Sequence, residues 1–295
     1  MGTNSIVEPA DGRRDLAKQD SRARLHGMWA SVAGGWRTYA EYIDGRGWAV
    51  TERMFELTSL RPGHRVLELA CGPGSVGLAA AERVGPGGEV VVSDVAAEMT
   101  AIALERAQAR GLANVSGRAL DLESIEEPDG AYDVVLCREG LMFALDPARG
   151  AREIARVLRT GGRAALAVWG PRERNPWLGV VFDAVSAELG RPLPPPGMPG
   201  PFSLADAGRL AALLSDAGLS QVEVSELSVP LRAPTFEEWW GTTCALAGPL
   251  TQILASVPES TTERLRARAR ELAQPYQTRD GLDFPGMTLL ASGRR

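Results

Sequence analysis

Four acidic residues close apolar runs in the first half of the chain. Glu68 lies in Val66-Leu67-Glu68-Leu69, Asp94 ends Glu89–Ser93, Asp121 follows Val115–Leu120, and Glu139 follows Tyr132–Arg138. A carboxylate at the end of a strand accepts strong, charge-assisted bonds from hydroxyl or amino donors. The first run breaks into Ala70-Cys71-Gly72-Pro73-Gly74-Ser75-Val76-Gly77. Glycine lets backbone come close to a ligand with no Cβ in the way. The free N–H groups opening the next helix attract an electron-rich group. The spacing Gly72-x-Gly74-x-x-Gly77 also fits a dinucleotide fingerprint. Glu68 argues against that match, because dinucleotide binders are usually apolar at this point of the strand.

The elements that must position these groups alternate. Strands are expected at 66–69, 89–93, 115–119, 132–137 and 163–169, with helices at 76–84, 96–110 and 147–158 between them. Such a rhythm predicts a parallel sheet with helices on both faces and the loops after the strands gathered along one edge. Beyond residue 169 the pattern changes. Helices are expected at 175–189 and 204–217, a proline-rich loop at 191–201, a strand at 221–231, a long helical stretch at 235–277 and a short last strand at 287–292. The expected organisation is a flexible tail (1–20), an N-terminal helical cap (21–60), an α/β core (61–232), a helical insert over the substrate (233–280) and a final core strand (281–295). The cap is expected to break at Gly34-Gly35 and at Gly45-Arg46-Gly47.

Composition narrows the chemistry. The 295 residues carry a net charge of −5, which offers nucleic acid or an anionic membrane no general attraction. Lys18 is the only lysine and lies in the polar N-terminal segment, so no tyrosine–lysine pair of the short-chain dehydrogenase kind can form. Two histidines and three scattered cysteines suggest neither a zinc site nor a disulfide framework. No apolar run reaches the roughly 20 residues of a membrane span, and a cytoplasmic enzyme, monomer or homodimer, is expected.

The run Glu68-Leu69-Ala70-Cys71-Gly72-Pro73-Gly74 resembles the first motif of the class I S-adenosylmethionine-dependent methyltransferases. Asp94, Leu120-Asp121-Leu122, Tyr132-Asp133-Val134-Val135 and the segment Arg152–Arg163 carry the likeness on to Trp169. Within that superfamily the chain is similar to the menaquinone and ubiquinone C-methyltransferase branch, departing from it at Thr160, where proline is usual. The resemblance implies a Rossmann-like sheet of seven strands with the last one antiparallel beside the fifth, and S-adenosylmethionine as cofactor. It implies cofactor contacts from Gly72, Gly74, Asp94 and Asp121, with Glu68, Ala70, Val95, Met99, Leu122 and Cys137 as further candidates for contact. Asp94 would accept the ribose hydroxyls and Asp121 the adenine amino group, with Val95, Met99 and Leu122 about the ring.

Methyl transfer needs positioning, and a base where the nucleophile carries a proton. Glu139, His26, Tyr39 and Glu41 are candidates for that base, with Glu139 best placed after strand four. Trp29, Trp36, Met142, Phe143, Trp169, Trp239 and Trp240 are expected to line the pocket of a small apolar or aromatic acceptor, in a reaction of secondary metabolism. Two other functions compete. One is a methyltransferase-fold protein that binds the cofactor without transferring methyl, as a cyclisation or pericyclic catalyst. The other, more remote, is a nicotinamide-dependent oxidoreductase.

Overall fold

The computed structural model describes residues 10–193 and 199–295, with side chains from residue 21 onward. Strands β1 (Arg65–Leu69), β2 (Glu89–Asp94), β3 (Val115–Ala119), β4 (Tyr132–Arg138) and β5 (Leu158–Trp169) form the parallel half of one sheet. β6 (Ser220–Ser228) lies at its far edge. β10 (Met287–Arg294) slots between β5 and β6, antiparallel to both, giving the order β3-β2-β1-β4-β5-β10-β6. The expected seven-stranded sheet with its antiparallel last strand is therefore observed. The order reverses between β1 and β4, and ligands of open α/β sheets bind at such a switch point. Register puts Leu69 beside Ser93 and Cys137, and Arg138 beside Ala167, so the carboxyl ends share one edge.

Both faces of the sheet are covered. Helices α5 (Pro147–Val157) and α7 (Ala207–Asp216) bury Ile154, Leu210 and Leu214 against Leu67, Val135 and Leu289. Helices α2 (Ala40–Thr58), α3 (Ser75–Val84) and α4 (Ala97–Ala109) cover the other face, where Met54 and Phe55 join Val66, Val92 and Leu290. α2, expected in a cap, is thus a core helix. A second apolar core lies beyond the sheet. It unites α6 (Pro176–Leu189), α8 (Phe236–Leu246), α9 (Gly248–Ser256) and α10 (Glu259–Ala273). A small sheet, β7 (Leu231–Ala233), β9 (Gly281–Phe284) and β8 (Gln277–Thr278), belongs to it. Sequence reading missed this sheet, because its strands are too short to show a period. No helix among the described residues is long and apolar enough to cross a membrane.

The N-terminal helices correct two expectations. α1 (Ala10–Thr38) runs through Gly34-Gly35, and α2 runs through Gly45-Arg46-Gly47; the break falls at Tyr39 instead. Residues 10–20 of the expected tail are helical in backbone, and residues 1–9 lie outside the described chain. Gly35 and Gly47 serve close approach rather than interruption. A Cβ on Gly35 would overlap the carbonyl of Ala245 on α8, and one on Gly47 would overlap the Arg138 guanidinium. Gly45 has open space around it. These surroundings separate the three positions. Gly35→Ala is expected to destabilise the fold by about 1–3 kcal/mol through overpacking, although alanine is the better helix former. Gly45→Ala is expected to stabilise it by about 0.5–1 kcal/mol. Urea unfolding of both variants checks the opposite signs.

Candidate functional site

The loop after β1 is shaped by two buried carboxylates. Asp94, 8 % exposed, accepts the Gly72 N–H at 3.0 Å through one oxygen and the Ala96 N–H at 3.0 Å through the other. Glu68, 2 % exposed, accepts the Gly77 N–H at 2.8 Å. Gly77 must be glycine, since a Cβ would run into the Glu68 carboxylate and Val92. Gly74, at φ +87°, starts α3, and its Cβ would come within 2.7 Å of Ala103 on α4. Gly72, at φ +52°, turns the chain beneath the Trp36 ring. Burial pushes Asp94 up to about 6, against the bonds from Ala96 and Gly72. Burial pushes Glu68 further, to about 8, against the pull of Arg138 and the Gly77 N–H.

Two non-glycine residues near this loop hold left-handed backbone, Ala70 at φ +53° and Glu139 at φ +61°. They follow β1 and β4, the two strands that flank the switch point. Such strain is tolerated where surrounding structure enforces it. Here the Glu139 N–H is tied to the Ala167 carbonyl at 2.7 Å, and Gly140 leaves no Cβ to strike Ala70.

A cleft opens along this edge. It is lined by Glu68, Ala70, Gly72, Asp94, Val95, Met99, Asp121 and Leu122, eight of the ten expected cofactor contacts. The other two lie elsewhere. Gly74 is taken up by the α3–α4 packing. Cys137 is 1 % exposed in the core, with burial holding its thiol up at about 12. The residues present suit an adenosine-bearing cofactor. Asp94 and Asp121 keep lone pairs for hydroxyl and amino donors, and Val95, Met99, Leu120 and Leu122 supply apolar walls. α1 covers the cleft: Arg22 donates to Glu123 at 2.6 Å and lies 3.3 Å from Asp121. Sequence reading missed Arg22 because nothing local marks it; only the docking of α1 brings it over the loop after β3.

Beside the cleft lies an apolar cavity of about 650 Å³. α2, α6, α8 and the small sheet enclose it, with Trp29, Trp36, Phe143, Trp169 and Trp239 among its walls. Trp36 is held there by its indole N–H, which donates to the Leu246 carbonyl at 3.1 Å. Two expected lining residues are corrected. Met142 is fully buried in the main core, and Trp240 packs flat on Phe236 in the second core. Both alternate with true lining residues in sequence, so only side-chain direction separates them. Among the cavity walls that went unforeseen are Arg46, Trp177 and Phe182. Trp29, Trp36, Arg138, Glu139 and Phe143 line both the cleft and the cavity. His26 lines the cleft alone, Tyr39 lines the cavity alone, and Glu41 is exposed and lines neither.

Two measurements follow from this geometry. Asp94→Ala is expected to weaken S-adenosylhomocysteine binding by about 2–4 kcal/mol in calorimetry, and to lower stability by stranding the Gly72 and Ala96 N–H groups. Glu68 sets a pH dependence. Its carboxyl is protonated up to about pH 8 when folded but ionises near 4.5 when unfolded, so its contribution is intact below 4.5 and is lost as pH rises through 8. Relative to Glu68→Gln, the native chain should therefore lose roughly 3–4 kcal/mol of stability between pH 5 and pH 8, at about 1.4 kcal/mol per unit. A stability difference that stays flat over this range contradicts the buried acid.

Known proteins resemble this chain in the same terms. The family model described as a methyltransferase domain matches residues 66–162, which hold the glycine loop, Asp94, Asp121 and Glu139. Nocamycin O-methyltransferase of Saccharothrix syringae is 34 % identical over 203 residues, covering 66 % of this chain and 72 % of that one. The ubiquinone/menaquinone biosynthesis C-methyltransferase of Ectopseudomonas mendocina is 31 % identical over 177 residues, 59 % of this chain and 69 % of that one. Geranyl diphosphate C-methyltransferase of Streptomyces coelicolor, solved with S-adenosylhomocysteine, shares the fold at a TM-score of 0.50 and 15 % identity, over 84 % of this chain and 79 % of that one. With its glycine loop, its inserted antiparallel strand and these relatives, the chain belongs to the class I S-adenosylmethionine-dependent methyltransferases, and S-adenosylmethionine is its cofactor.

Proposed function

We propose that this chain methylates a small apolar or aromatic acceptor, at carbon, nitrogen or oxygen, in secondary metabolism. One observation carries the reading: the cofactor cleft and the 650 Å³ apolar cavity share a wall made of Trp29, Trp36, Arg138, Glu139 and Phe143. The bound cofactor supplies an electrophilic methyl group on a sulfonium centre. The protein's part is to hold acceptor and cofactor in line and to keep water out. Trp29, Trp36 and Phe143 do this at the junction, and their ring faces favour a nearby cation. Trp29 sits edge-on to Phe143 at 5.0 Å and to Trp36 at 6.3 Å, which fixes the three rings together.

Among the candidate bases, Glu139 alone borders both spaces. Its carboxylate takes the acceptor's proton, or holds an acceptor amine, beside the transfer point. Arg138 is held away from this task by the Gly47 carbonyl at 3.3 Å and the Thr51 hydroxyl at 3.0 Å. His26 borders the cofactor cleft alone and Tyr39 the apolar cavity alone.

Product mass separates methyl transfer from catalysis without it. Incubation with S-adenosylmethionine and a panel of aromatic acceptors should yield a product heavier by one methylene unit together with S-adenosylhomocysteine. A product of unchanged mass would point to cyclisation instead. Glu139→Gln is expected to lower turnover by roughly 10²–10⁴-fold, the scale of lost general-base catalysis, while S-adenosylhomocysteine affinity changes far less. Equal losses in both would remove Glu139 from the transfer step.

A further inference from the structure

α2 holds the glycine loop from outside the sheet. Asp44 stands one residue before Gly45-Arg46-Gly47, the run that the sequence marks as a helix break and the fold keeps helical. One of its carboxylate oxygens accepts the Ser75 hydroxyl at 2.5 Å. The other accepts Nη2 of Arg106 at 2.5 Å and Nη2 of Arg110 at 2.8 Å. Arg106 turns its second terminal nitrogen, Nη1, to the Pro73 carbonyl at 2.6 Å. Pro73 and Ser75 flank Gly74, whose backbone is left-handed at φ +87°. Asp44 therefore holds the chain on both sides of Gly74, directly at Ser75 and through one guanidinium at Pro73.

This hold bears on the wall of the cofactor cleft. Gly72 and Pro73 line the cleft, whereas Asp44 lies outside it. Gly74, the N-cap of α3, has no side chain with which to fix the turn itself. A guanidinium carries its donors in a rigid fork, so a carboxylate on one nitrogen fixes the aim of the other. The charges of the knot balance: Asp44 faces Arg106 and Arg110, and Arg110 also lies 3.7 Å from Glu82 on α3. Asp44 and Arg106 are largely shielded from water, where such bonds hold more firmly than exposed pairs do.

We propose that Asp44 is a positioning residue for cofactor binding: acting through Arg106 and Ser75, it sets the backbone of the Gly72–Ser75 turn beside the cleft. The turn then meets S-adenosylmethionine in one conformation, and binding spends little on ordering it. This role rests on the cofactor cleft alone and not on the nature of the acceptor.

Calorimetric titration of the full chain with S-adenosylhomocysteine tests it, with urea unfolding of each variant alongside. Asp44→Asn and Arg106→Gln are each expected to weaken binding by about tenfold, the scale of one charge-assisted bond. These two substitutions change net charge in opposite directions, so a charge effect at a distance would move affinity in opposite senses. The double variant should bind no more than about twofold more weakly than the weaker single one, because both remove the same link. Arg110→Gln takes a charge from the knot but no tie from the loop, and should leave affinity within about twofold whatever its effect on stability. Unchanged affinity in a folded but less stable Asp44→Asn would make the residue structural only and overturn the proposal. Opposite shifts in the two single variants, or fully additive losses in the double, would overturn it as well. If Asp44→Asn does not fold, Arg106→Gln and Ser75→Ala decide: weaker binding in both supports the proposal, and unchanged binding in either overturns it. A native chain that fails to bind S-adenosylhomocysteine would stand apart from these outcomes, overturning the cofactor assignment and this role together.

Discussion

Everything at the reactive edge depends on two buried acidic side chains that accept backbone N–H groups. Asp94 ties β2 to Gly72 and Ala96, and Glu68 ties β1 to the first turn of α3. Water would otherwise compete for these groups, but both acids are nearly sealed. Sealing makes the ionised forms expensive, which is why both titrate above the ordinary range. The glycines of the loop are the other half of this constraint. Gly77 lets the Glu68 carboxylate reach its N–H, and Gly74 lets α3 lie against α4. The loop that receives the cofactor is thus set before any ligand arrives.

The N-terminal helices extend that framework outward. Asp44 of α2 accepts the Ser75 hydroxyl at 2.5 Å and the guanidinium groups of Arg106 at 2.5 Å and Arg110 at 2.8 Å. Burial pushes its carboxyl up, yet these three bonds outweigh burial and keep it below its ordinary range. Arg106 also donates to the Pro73 carbonyl at 2.6 Å, so α2, α4 and the glycine loop share one polar knot. α1 packs Val32 and Ala33 on Met99 and Ile102 of α4, and reaches α8 through Trp36. One helix therefore touches the cofactor cleft, the apolar cavity and the second core.

The second core explains why the apolar cavity exists at all. The main sheet buries both its faces on its own helices and has no apolar surface to spare for a large ligand. α6, α8, α9, α10 and the small sheet bring a separate apolar cluster to the carboxyl edge, and the gap between the two clusters is the cavity. The arginines of α10 secure this unit: Arg264 reaches Glu188 on α6 at 2.9 Å, and Arg270 pairs with Glu237 while lying 4.1 Å from the Phe236 ring. These exposed pairs contribute little stability each and serve mainly to orient the helices.

The sequence by itself determined the five parallel strands and the glycine loop, while the antiparallel insertion and the cofactor contacts came from its resemblance to a known family. The strands and the loop rest on local chemistry: apolar runs of strand length, glycines where the chain must turn or approach closely, and acids directly after strands. Strand register then brings these neighbours in sequence together at one edge, so eight of the ten expected cleft residues face it. Tertiary structure alone decided the rest. That Gly35 and Gly47 allow close approach depends on Ala245 and Arg138, which lie some 90 to 210 residues away in sequence. That Trp239 faces the cavity while Trp240 turns into the core is a matter of about 100° of helix rotation, which hydrophobicity cannot encode when both neighbours are tryptophan. That Arg46 of α2 meets Trp177 of α6 follows from how the two cores dock. A local pattern records what a residue needs from its neighbours in the chain; it holds no record of which distant residue will meet it.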